Sequence, residues 1–184
     1  YSRIKTLLTA IKEHPNLRLT LIVSGSALID KYGNVAKIIE NDGFTIDHKL
    51  YNILESGGES LMAKITSLAI LELSNLFLNI KPNAVITIAD RYETLGTSIA
   101  AAYSNIPLIH IQGGEVTGNI DEKVRHSNTK LADVHFVSTE KARIRVLKLG
   151  ENPKFVFNTG CPSIDIAKNV INNTQNIDFI EKYN

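Results

Sequence analysis

Along the chain, apolar runs of strand length alternate with longer segments whose apolar positions recur every three or four residues. Ile4, Leu7, Leu8 and Ile11 repeat at helical spacing until His14-Pro15-Asn16 stops the segment, and "LRLTLIV" follows as a buried strand. A second unit reads as a short helix from Asn34 to about Asn41, a strand "FTIDHKL", and a long helix from Glu59 to about Ile80 that ends at Lys81-Pro82-Asn83. Next come strand "AVITIA", helix "YETLGTSIAAAYSN", strand "IPLIHI", a polar loop with its helix, strand "DVHFVS", helix "EKARIRVLKLG" and strand "KFVFNTG". This alternation predicts an α/β fold, a Rossmann-like parallel sheet with helices on both faces. "AVITIA" has almost no polar content, as suits a strand covered on both sides. The tail after Cys161-Pro162 reads as one more helix, Ser163 to about Ile171, and then "NNTQN" as a linker, which puts a domain edge near the end of the chain. A doubly wound domain ordinarily begins with a strand and a ligand-binding turn, so an opening helix predicts that the first strand is missing upstream.

A length of 184 residues with 43% hydrophobic positions is enough for one domain with a substantial core. Lys and Arg total 20 against 19 Asp and Glu, and a net charge of +1 offers no basic footprint for nucleic acid. Cys161 is the one cysteine, so no intrachain disulfide forms, and the chain suits a reducing compartment such as the cytoplasm. No run approaches about 18 uninterrupted apolar residues, and the first segment is broken by charges, so neither a membrane span nor a signal peptide is expected.

In open α/β sheets ligands gather beyond the carboxyl ends of strands, which draws attention to Asp90 after "AVITIA" and to "HIQGGEVTGNIDEKVRH", residues 110–126, after "IPLIHI". A right-handed crossover makes these two strands neighbours, with ends roughly 5 Å apart, so Asp90 and the loop share one crevice. A plainer reading has Asp90 cap the helix that starts at Tyr92 while Arg91 pairs with a surface carboxylate. Gly113-Gly114 permits close backbone approach or a left-handed turn. Neither "GxGxxG" nor "GxxxxGK[ST]" occurs, so a dinucleotide fingerprint and an ATP-type phosphate loop are unsupported. Asn119 to Glu122 fits a capping box in which Glu122 reaches back to the Asn119 amide. Glu122, Arg125 and His126 also share a helix face close to an N-terminus that favours anions. His110 and His135, inside apolar strands, read as hydrogen-bonded core residues, and no residue set has metal-site spacing. Burial of a carboxylate in this crevice would raise its pKa toward working pH.

Taken together, "ADRYETL", "PLIHIQGGEVTGNIDEKVRH" and "TKLADVHFVSTEKARIRVLKLGENPKFVFNTGCPSID" closely resemble the hydrolysing UDP-N-acetylglucosamine 2-epimerases, most of all their sialic-acid branch. The resemblance covers nearly the whole chain and is most specific from Asp90 to Asp165. It implies the N-terminal half of a glycosyltransferase type B fold, with residues 1–165 as the domain and 166–184 leading toward an absent C-terminal domain of the same polypeptide. That domain would supply much of the UDP site, so the fragment alone is expected to be inactive. The implied reaction eliminates UDP to leave a 2-acetamidoglucal and then adds water, with no cofactor and no metal. By motif matching, Asp90 and Glu122 correspond to catalytic carboxylates, and Arg3, Arg91, Gln112, Glu115 and Arg125 to substrate-binding positions. Many members carry glutamate where this chain has Gln112, and an amide cannot serve as a carboxylate base. Either Glu115 or another carboxylate takes over that work, or Gln112 only positions substrate, and positioning is the favoured reading. A homo-oligomer is expected, without nucleic acid or membrane partners. The rivals are a sister enzyme acting on UDP-2,4-diacetamido-2,4,6-trideoxyglucose, a glycosyltransferase of like architecture, and a non-catalytic nucleotide-sugar sensor.

Overall fold

In chain order the elements are α1 (Lys5–Glu13), β1 (Ile22–Ser24), α2 (Val35–Asn41), β2 (His48–Leu50), α3 (Leu61–Ile80), β3 (Val85–Ile88), α4 (Tyr92–Tyr103), β4 (Leu108–Ile111), α5 (Ile120–Leu131), β5 (Val134–Val137), α6 (Glu140–Lys148), β6 (Val156–Asn158) and α7 (Pro162–Asn173). The computed structural model describes residues 1–54 and 60–173. The expected start of the long helix at Glu59, and the part of the expected linker beyond Asn173, lie outside the described residues.

The chain divides into two compact units. Thr20–Thr159 holds all six described strands, while Tyr1–Leu19 and Gly160–Asn184 form the other, in which α1 and α7 touch. In the larger unit β3, β4, β5 and β6 lie side by side in that order, every pair parallel, as the alternating pattern predicts. β1 and β2 form a separate parallel pair, so the described strands make two hydrogen-bonded sets instead of one sheet. Both are shorter than their apolar runs, for a local reason. The Leu21 amide donates to the Asp47 carboxylate at 2.7 Å, and the amides of Asp47 and His48 both converge on the Leu21 carbonyl. Regular pairing therefore starts only at Ile22 and His48.

Helix α3 shows why the fold holds. Ile65, Ala69, Leu73 and Phe77 recur every fourth residue and are all buried, and the last three join Val85, Ala100, Ala101, Leu108 and Ala132 in the main core. Ile22 of β1 and Leu50 of β2 pack on the same cluster. Each large side chain fully buried here stabilises the fold by about 1.5–3 kcal/mol. Helix α4 presses close at Gly96, where an added Cβ would sit 2.7 Å from Ala69 Cβ and 3.1 Å from the Thr66 carbonyl. Among the described residues α3 is the one helix long and apolar enough to cross a membrane, but its stripe is spent on this core. Val137, Ala142, Val146 and Val156 form a second cluster that seats α6 on β5 and β6.

Candidate functional site

Strands β3 and β4 end level with each other, Ile88 opposite Ile111. The ladder continues one residue further, with the Ala89 amide on the Ile111 carbonyl at 3.0 Å and the Gln112 amide on Phe136 at 2.8 Å. Both residues then turn left-handed, Ala89 at φ +62° and Gln112 at +63°. A non-glycine residue there costs roughly 1–2 kcal/mol, and such strain gathers at functional sites. It swings Asp90 and the 113–118 loop away from the sheet, to the carboxyl-end crest where ligands of parallel sheets bind.

Asp90 does not cap α4. The N-cap position belongs to Arg91, which makes no side-chain cap bond, and Asp90 Oδ2 instead accepts from Arg125 Nη2. Arg125 is only 2% exposed, and its Nη1 donates to the Glu115 carbonyl at 2.7 Å and to Thr117 Oγ1 at 3.5 Å. One buried guanidinium thus ties the end of β3 to the loop after β4, so the two regions expected to share a crevice do meet. Arg91 is exposed and chelates Glu93, Nη2 to Oε1 at 2.7 Å and Nε to Oε2 at 3.1 Å, an interaction that raises the guanidinium pKa further. Gln112 is buried in the wall below, and Glu115 enters the described contacts through its carbonyl. Arg3 is exposed in the turn before α1, in the smaller unit.

Glu122 departs from the capping box. Its Oε2 accepts from the amides of Gly118 at 2.7 Å and Thr117 at 2.8 Å, not from Asn119, while Asn119 Oδ1 accepts from the Asp121 amide. Gly118 is left-handed, φ +75°, which turns the loop so that both its amide and its neighbour's face the carboxylate. These bonds, Gly118 first and Thr117 next, hold the Glu122 carboxyl below the ordinary range, the opposite of the rise expected from burial. Glu122 is therefore an ionised acceptor at neutral pH, with Oε1 3.8 Å from His126 Nε2. A shallow depression lined by Gly118, Asn119, Ile120, Glu122 and Lys123 lies beside it.

Beneath the crest is a buried polar network that residue spacing does not reveal. Asn128 Nδ2 donates to Thr94 Oγ1 at 2.8 Å, and Ser98 Oγ donates to Asn128 Oδ1 at 2.9 Å. His110 is fully buried, with Nε2 3.1 Å from the Ala89 carbonyl and Nδ1 3.1 Å from Thr129 Oγ1. A carbonyl can only accept, so Nε2 carries the proton and Nδ1 is left to accept, with the single Thr129 hydroxyl hydrogen shared between Nδ1 and the Arg125 carbonyl. Both His110 and His135 are the hydrogen-bonded core residues expected, His135 Nε2 lying 3.3 Å from Glu151 Oε2. The glycine pair is demanded from two sides. A Cβ on Gly113 would lie 2.9 Å from Thr129 Oγ1, and one on Gly114 2.3 Å from the Ala142 carbonyl of α6.

Burial pushes the His110 pKa down from 6.5 to about 4. Above pH 6.5 the ring is neutral in folded and unfolded chains alike and its contribution is intact. As pH falls from 6.5 toward 4, the unfolded chain takes up a proton that the folded one refuses, and stability drops by up to roughly 3 kcal/mol. His135, also shifted down by burial, adds to the loss with the same sign. Urea midpoints measured between pH 7 and pH 4.5 should fall steeply for the wild type and less so for His110→Gln.

The family model described as UDP-N-acetylglucosamine 2-epimerase matches residues 9–183. The chain belongs to the UDP-N-acetylglucosamine 2-epimerase family. It is 40% identical over 161 residues to the Escherichia coli polysialic acid biosynthesis protein P7, covering 87% of this chain and 41% of that protein. It is 32% identical over 183 residues to the Legionella pneumophila UDP-N,N'-diacetylbacillosamine 2-epimerase (hydrolyzing), covering 100% of this chain and 48% of that one. A solved UDP-N-acetylglucosamine 2-epimerase superposes with a TM-score of 0.80 at 27% identity, over 91% of this chain and 46% of its own. The chain thus spans less than half the length of these relatives, and its fold is the Rossmann-like N-terminal domain of the glycosyltransferase type B-like architecture of the solved epimerases.

Proposed function

We propose that this domain forms one wall of the active site of a hydrolysing 2-epimerase that converts UDP-N-acetylglucosamine and water to N-acetylmannosamine and UDP, in the cytoplasm, for sialic acid synthesis. The observation that carries the reading is the Asp90–Arg125 pair at the carboxyl end of β3, within the residues that the family model matches. Arg125 holds the Asp90 carboxylate in place at the strand end, as a base that must meet the C2 proton has to be held. In the first half-reaction Asp90 takes that proton while the C1–oxygen bond breaks and its electrons leave with UDP. In the second, water adds across the C1–C2 double bond, its hydroxyl to C1 and a proton to C2 from the opposite face. Glu122, ionised and tied to the loop, is assigned as the second carboxylate, acting as acceptor for the incoming water through Oε1. Arg3, Arg91, Gln112 and Glu115 are assigned to substrate, with Gln112 positioning and not transferring protons. A second domain of the same polypeptide completes the UDP site, the domain alone does not turn over, and the enzyme works as a homo-oligomer without a cofactor.

The Legionella relative's name favours a second reading, with UDP-N,N'-diacetylbacillosamine as substrate. Incubating the full-length enzyme with each nucleotide sugar and identifying the released sugar by NMR separates the two. N-acetylmannosamine as the faster product is the expected result. Preference for the diacetamido-trideoxy sugar replaces the first reading with the second, and a requirement for an acceptor sugar overturns both.

A further inference from the structure

We propose that His110 is a positioning residue for Asp90, acting through the carbonyl of Ala89; the inference rests on Asp90 being the acid/base group. Ala89 immediately precedes Asp90 and is held left-handed at φ +62°. Its carbonyl belongs to the same rigid peptide unit as the Asp90 amide, so whatever fixes the one fixes the start of the other. Two buried donors fix it, His110 Nε2 from β4 at 3.1 Å and Asn128 Nδ2 from α5 at 3.4 Å, both residues fully buried. Without them that peptide is free to turn about the Ala89 Cα–C and Asp90 N–Cα bonds, which carries the carboxylate with it.

The ring is itself held. Thr129 Oγ1 meets His110 Nδ1 and lies 3.0 Å from the Arg125 carbonyl, and Gly113 lets the loop close over both side chains. One stretch of α5 therefore grips Asp90 at two points. Arg125 takes the carboxylate, and Asn128 and Thr129, three and four residues on, secure the peptide before it, the latter by orienting His110. The imidazole touches no reacting atom, so its effect is on geometry, where an error of about 1 Å costs on the order of a hundredfold in rate.

The test compares two amides in the full-length enzyme with its nucleotide sugar. His110→Gln places an N–H near the Nε2 position, whereas His110→Asn reaches only the Nδ1 position. The expected result is a kcat roughly tenfold or more lower for the asparagine variant with KM held within about twofold, and most of kcat restored in the glutamine variant, at matching melting temperatures. Equal losses in both variants, or an undiminished kcat with asparagine, overturn the inference. If the asparagine variant does not fold, Thr129→Val removes only the hydroxyl that orients the ring, and the same fall in kcat at constant KM is required of it. If the wild type turns over neither nucleotide sugar, the functional reading fails by itself. Crystal structures of the variants then decide: a turned Ala89–Asp90 peptide and loss of the Asp90–Arg125 pair in His110→Asn uphold the inference, and retention of the wild-type peptide and pair overturns it.

Discussion

Asp90→Asn in the full-length enzyme is expected to lower turnover by about 10²–10⁴-fold while leaving affinity for UDP nearly unchanged. The substitution keeps shape and keeps an oxygen that can accept from Arg125, so the tie between β3 and the 113–118 loop survives in weakened form. What it removes is the basic oxygen, since an amide does not take up a proton at neutral pH. Rate and binding therefore separate, because UDP leaves as a dianion-bearing group whose binding does not draw on the carboxylate. Steady-state kinetics with calorimetric titration of UDP checks both halves. Unchanged turnover would remove Asp90 from the chemistry, and a nucleotide-sugar sensor would retain its response in this variant.

The reading of Asp90 also shows where the sequence is informative. Every strand and helix inferred from the apolar pattern has a counterpart among the described elements, because period 2 and period 3.6 are local properties of the chain. The position of Asp90 at a strand end was equally legible. Its partner was not, because Arg125 comes from 35 residues away and a charged guanidinium outcompetes the neutral amides of the helix that the plainer reading has Asp90 cap. Likewise Glu122 matched a capping box by spacing, yet the left-handed Gly118 offers two amides that face the carboxylate more directly than Asn119 does. Gly113-Gly114 looked like ordinary loop freedom, whereas the need for them comes from Thr129 and Ala142 pressing on the loop. Left-handed Ala89 and Gln112 carry no signal in their identities, since alanine and glutamine have no preference for that region and are forced into it by the surrounding hydrogen bonds.

Arg125→Ala is expected to cost about 3–5 kcal/mol of stability, because it strands a partly buried carboxylate and opens a cavity beneath the loop. Asp90 is 18% exposed at its side chain, so water entering that cavity will rehydrate the carboxylate in part and bring the loss toward the lower end. The Glu115 carbonyl loses its donor as well, which frees the loop that carries Glu122's two amide partners. Turnover falls with stability in this variant, so by itself it does not separate structure from chemistry. The double variant Asp90→Asn with Arg125→Met does. With the negative charge gone and the guanidinium volume refilled by an apolar chain, no unpaired ion is left in the wall, and the urea midpoint should return most of the way to wild type. Turnover should stay as low as in Asp90→Asn alone. Recovered stability with recovered turnover would mean that the pair holds the loop and takes no part in moving the proton.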